Sequence, residues 1–251
     1  MVSTEPQTCR LCRESRTLVE SHILPEFLYK PTYDERHSSI YLDVDSEQTG
    51  TRRRGFWEIL FCEECEERFN RWETYFAEIW FNRSVRPPFS LARNRFLTIR
   101  GIDYRKFKLF HLSIIWRAGI SSLRPFRGVR LGGQADALRC LISADNPGPL
   151  GRYPIAAIAL QDDDGGYKDD IIQLPRPGKY KGHHFCSAVF GGVHWTYGVS
   201  GHSSGSPFPS TLGSDGTLRL AVQRWSENRA VLDLAAVLQR LGPDLPRGPT
   251  V

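Results

Sequence analysis

The sequence predicts an α+β protein, with a small metal-stabilised module over residues 1–86 and a larger mixed α+β module over residues 87–251. Three observations lead there. Two Cys-x-x-Cys pairs, Cys9/Cys12 and Cys62/Cys65, both stand before residue 66. Apolar residues recur at three- and four-residue steps over 63–82, 134–144 reads as a second amphipathic helix, and 104–118 as a helix apolar nearly all round. From Tyr153 onward the apolar runs shorten to strand length and are separated by Gly, Pro and Asp.

Composition narrows the class. A chain of 251 residues with 40% hydrophobic and 24% charged content can bury a sizeable core, and 12% aromatic residues would dominate it. A net charge of +5 permits an acidic partner such as nucleic acid without demanding one. No apolar run reaches membrane-spanning length, and Met1 to Gln7 carry no apolar signal core, so a cytoplasmic protein is expected. Paired cysteines in such a chain suit metal binding rather than disulfides. Cys140 and Cys186 stand alone and read as small buried hydrophobes.

The elements follow in order. Residues 1–8 are a short lead without pattern, and Cys9 to Val19 form the first knuckle and a β-turn. Four thiolates on Cys9, Cys12, Cys62 and Cys65 make the closed tetrahedral set of a structural Zn²⁺ site. Ile23 to Tyr29 supply an apolar cluster to close against it. Ser39 to Val44 read as one short strand, and Arg52-Arg53-Arg54 before Gly55 as a loop able to clamp phosphates. Glu63 to Asn82 read as the strongest helix of the first module. Glu63, Glu64, Glu66 and Glu67 sit in its first turn, where negative charge suits the helix dipole.

The segment around the cysteines resembles the zinc-carrying branch of the HNH endonucleases. The likeness rests on Cys9-x-x-Cys12, on His22-Ile23 followed by Pro25, and on Phe61-Cys62-Glu-Glu-Cys65, and it covers residues 9–76. It implies a ββα-metal, treble-clef-like module, with His22 as the general base that activates water against a DNA phosphodiester. It also implies a catalytic Mg²⁺ or Mn²⁺. The chain departs from the family pattern at Ser21, where an Asp metal ligand is usual, at Trp57, at Glu66 and at Phe69. Glu66 could still offer oxygen to a hard cation, with Glu20 or Glu73 assisting.

Past Arg86-Pro87-Pro88, the expected boundary, a strand or two is expected over 89–100. A helix capped by Asp103 should run from Tyr104 to Ala118 and, being apolar nearly all round, lie at the centre with His111 as a core histidine. A third helix is expected over Gln134 to Ala144. Strands are expected at Ile155–Leu160, Ile171–Leu174, Phe185–Phe190, Val193–Val199 and Leu218–Val222, with a tight hairpin at Gly191-Gly192. The run Asp162-Asp163-Asp164 lacks calcium-loop spacing, and adjacent His183 and His184 point to opposite faces of their strand. A loop over 200–216 and a closing helix over Asn228 to Leu241 complete the chain.

Three functions follow. One is a metal-dependent DNA endonuclease using His22 and Glu66. The other is a non-catalytic zinc module that binds nucleic acid, a partner protein or a second copy of the chain. A larger module that binds a small effector is a third.

Overall fold

The fold is α+β, as the periodicities predict. The computed structural model describes residues 3, 5–43, 48–82, 96–199, 210–233 and 236. The Arg86–Pro88 boundary, most of the 200–216 loop and the end of the closing helix lie outside them.

The chain begins with β1 (Gln7–Thr8) and β2 (Ser15–Arg16), which pair antiparallel around the Cys9–Cys12 turn. Next, β3 (Leu18–His22) reaches forward to pair antiparallel with β6 (Trp57–Cys62). Between them lie a 3-10 helix at Glu26–Thr32 and a second hairpin, β4 (Ser39–Asp43) with β5 (Gln48–Arg52). The sequence pattern predicts only the first strand of that hairpin; the partner is too polar to show an alternation. Directly after β6 comes α1 (Glu63–Phe81), with Cys62 at its N-cap.

The remaining elements are β7 (Phe96–Ile99), α2 (Tyr104–Ile120), α3 (Gln134–Ser143), β8 (Ile155–Gln161), β9 (Gln173–Tyr180), β10 (His183–Phe190), β11 (Val193–Gly198) and β12 (Leu218–Arg224). The strands form one sheet in the order β7-β12-β8-β11-β10-β9, antiparallel except for β12 beside β8. Asp103 caps α2 by accepting from the Lys106 amide at 3.0 Å. Strand β9 extends past the predicted Ile171–Leu174 run, through Pro175 and Pro177. An edge strand tolerates proline, because its outward N–H has no ladder partner to lose.

Aromatic rings join the layers. Phe76 of α1 stacks on Phe110 of α2 at 4.0 Å, and both meet Phe190 of β10. Trp80 packs against Trp195 at 5.6 Å and donates its indole N–H to the Gly191 carbonyl at 2.8 Å. Gly191 has φ +59°, and a Cβ there would stand 2.8 Å from the Trp80 indole nitrogen, so the β10–β11 turn requires glycine. His111 lies in this cluster, bonded through Nδ1 to the Tyr197 hydroxyl at 3.0 Å, a core histidine as expected. One contiguous core runs from Cys9 and Leu11 to Leu218 and Leu220. On the far side of the sheet, Leu160 and Val189 pack against Val231.

Cys186 is buried as expected, but Cys140 is not. It sits on the exposed side of α3, because the buried stripe of that helix falls on Leu138 and Ile142. Among the described residues, no helix is long and apolar enough to cross a membrane.

Candidate metal centre

The four predicted cysteines meet. Cys9 and Cys12 come from the turn between β1 and β2, Cys62 from the end of β6, and Cys65 from the first turn of α1. Their sulfurs all lie within 4.8 Å of one another, and Cys12 and Cys62 are 4.0 Å apart. A tetrahedral ion with bonds of about 2.3 Å needs its ligands about 3.8 Å apart, so the group fits a metal with little adjustment. All four cysteines are free of disulfides.

Backbone hydrogen bonds fix the turn that presents Cys9 and Cys12. Arg13 takes φ +67° and its amide donates to the Cys9 carbonyl at 3.0 Å, while the Arg10 amide donates to Leu60 and anchors the turn to β6. The Cys62 amide points at the Cys9 sulfur at 3.5 Å. A hydrogen bond from Cys65 and backbone amides hold the Cys9 thiol below its ordinary range, which favours the thiolate form there. Burial raises Cys12, and the Cys9 thiolate raises Cys65. A cation offsets both.

The next layer holds the other predicted site residues. Burial lifts the Glu66 carboxyl to about 7, against the pull of the Arg117 charge and the Ser21 hydroxyl. His22, at the end of β3, donates from Nε2 to the Arg54 carbonyl at 2.9 Å and stands 3.9 Å from Glu26. That bond fixes the tautomer: a carbonyl only accepts, so Nε2 carries the proton and Nδ1 is the free basic nitrogen. Burial lowers its pKa, which keeps the ring neutral at pH 7. The ring is bonded to the Arg54 carbonyl and stands near Glu26, whereas Glu66 feels the Ser21 hydroxyl and the Arg117 charge.

Arg117 is the residue that sequence reasoning passed over. Its side chain is 1% exposed. From α2 it reaches between β3 and α1. It donates to the His22 carbonyl at 2.7 Å, lies 2.8 Å from Glu73, and stands over the Phe69 ring at 5.0 Å. Its position in the sequence carried the signal: a charge inside a helix apolar on every side must be buried and paired.

Of the arginine triplet, Arg52 lies over the Phe56 ring at 4.2 Å, Arg54 pairs with Glu20 at 3.3 Å, and Arg53 is exposed. No protein-family model, curated protein or solved structure matches the chain.

Proposed function

We propose that the chain is a zinc-stabilised, nucleic-acid-binding protein built on an HNH-like, treble-clef-like scaffold, in which binding has replaced hydrolysis. Zinc is the metal that four thiolates prefer, since Mg²⁺ and Ca²⁺ take oxygen ligands. Cys9, Cys12, Cys62 and Cys65 would hold it, and it would supply folding energy, not chemistry.

The observation that carries the reading is Arg117. On this scaffold a nuclease would seat its hydrolytic cation between the strand that ends at His22 and the helix that carries Cys65 in its first turn. Here a guanidinium lies between those elements, with the His22 carbonyl and Glu73 already engaged. A positive charge that cannot leave the protein repels a second cation at the same point. Arg53 and its neighbours would meet phosphate.

A second reading keeps the endonuclease, with His22 Nδ1 as base and Glu66 as ligand to Mg²⁺ or Mn²⁺. The neutral His22 imidazole favours it. Supercoiled plasmid incubated with either metal decides between them. Intact plasmid together with a salt-sensitive mobility shift is the outcome expected here. Metal-dependent nicking that His22→Ala abolishes would replace the first reading with the second.

A further inference from the structure

Three separate elements bring basic side chains to one face. The Arg52 guanidinium covers Phe56, and the Phe56 ring meets Phe126 edge-on at 5.7 Å. Phe126 anchors the 3-10 turn Arg124–Phe126, which leaves Arg124 and Arg127 exposed on either side. Gly128, next in the chain, lies against Pro177 of β9, where a Cβ would stand 3.5 Å from the proline ring. Side chains alternate along a strand, so Lys179 shares that face with Pro177. The stretches 50–56, 123–131 and 173–184 contain no Asp or Glu. Among the described acids near the patch, Glu20 is paired with Arg54, Glu26 stands 3.9 Å from His22, and Glu58 is held by Ser121 and by the backbone of Ser122.

The chemistry of this face selects among nucleic acids. Binding a single strand depends on aromatic rings that accept stacked bases. Here Phe56 and Phe126 are buried at 2% and 1% exposure and serve only to fix the arginines. Phe185 and Tyr180 belong to the other side of the hairpin, since Phe185 pairs with Gly178 and not with Pro177. What remains is guanidinium and ammonium at the ends of rigid elements, a set suited to phosphate oxygens. We infer that the face formed by the Arg52–Arg54 loop, the Arg124–Arg127 turn and Lys179 is a sequence-independent docking surface for the phosphate backbone of duplex DNA. This rests on the nucleic-acid reading above and extends it from one loop to the sheet.

The test is fluorescence anisotropy with a labelled duplex of about 30 base pairs, titrated over a range of KCl concentrations. Wild type is compared with Arg53→Gln, with the double variant Arg124→Gln/Arg127→Gln, and with Lys179→Gln. The double variant should bind about tenfold more weakly, and its slope of log affinity against log salt should shrink by about 1.8, near 0.9 for each phosphate no longer neutralised. Lys179→Gln should remove about half of that slope change, and a single strand of equal length should bind more weakly than the duplex. These positions are exposed, so unchanged melting curves and metal content separate weakened phosphate binding from impaired folding. An unaltered slope in the double variant, or tighter binding of the single strand, overturns the inference. If Arg53→Gln alone weakens binding, the nucleic-acid reading survives without the extended face. A wild-type chain with no affinity for duplex or single strand removes both.

Discussion

Arg117 of α2 and Glu73 of α1 face each other at 2.8 Å, and the arginine is shielded from water almost completely. Such a pair is costly to break from one side, because the surviving charge keeps its desolvation penalty and loses its partner. Arg117→Ala should therefore destabilise the fold by about 3–5 kcal/mol, whereas Glu73→Gln paired with Arg117→Met should lose less than either change alone. If the guanidinium stands where a divalent ion would, Mn²⁺ should raise the melting temperature of Arg117→Ala and leave wild type unmoved. Differential scanning calorimetry with and without Mn²⁺ reads this directly, and equal responses would remove the substitution idea.

Removing the metal should have a larger effect. Structural zinc contributes about 10–16 kcal/mol of apparent binding energy at neutral pH, comparable with the whole stability of an ordinary domain. Cys62→Ser should lose stoichiometric metal and cooperative melting together. Cys140→Ser, at an exposed position outside the sulfur cluster, should change neither. Elemental analysis of the purified variants, set beside their melting curves, checks both.

Acid should destabilise the chain through its buried histidines. Burial lowers the pKa of His22, His111 and His194 below the unfolded value of 6.5. Below that value the unfolded chain takes up protons that the folded chain refuses, so this stability is complete above pH 6.5 and is lost as pH falls. For His111 the slope should be about 1.4 kcal/mol per pH unit. Urea unfolding of wild type and His111→Gln between pH 7 and pH 5 isolates that contribution, because protonation of the metal thiolates is common to both. Parallel curves would count against it.

The hairpin glycine gives a backbone test. Gly191→Ala adds a Cβ 2.8 Å from the Trp80 indole nitrogen at φ +59°, and should cost about 2 kcal/mol or more. Gly101→Ala has a positive φ but nothing within 4 Å of the new carbon, so about 1 kcal/mol is expected. Similar losses at the two positions would mean that backbone conformation, not the tryptophan contact, governs the turn.

What the sequence revealed depended on range. The sulfur cluster was legible because cysteine spacing is chemically specific and both pairs sit at fixed local turns. Helix α2 was legible because the run from Phe107 to Trp116 is apolar on nearly every side, and Asp103 marks its start. Strand β5 was hidden, since Gln48–Arg52 has no apolar alternation and depends on the pairing of Tyr41 with Gly50. For Arg117 the apolar helix around it encodes burial but does not name the partners. Its partners come from β3 and α1, 95 residues away at His22, and no local pattern encodes a contact at that distance. The expected joint action of His22 and Glu66 rested on likeness to a motif, and motif spacing cannot show that an arginine from α2 reaches the same place.

Helix α1 carries Cys65 in its first turn and Trp80 in its last, about 22 Å apart at 1.5 Å per residue. Its far end is bonded to the β10–β11 turn. Loosening of the sulfur end should therefore be transmitted along a rigid rod to an indole buried beside Trp195. Ultraviolet emission from those rings would then report, without any added label, whether the sulfur cluster at the other end of the helix has stayed intact.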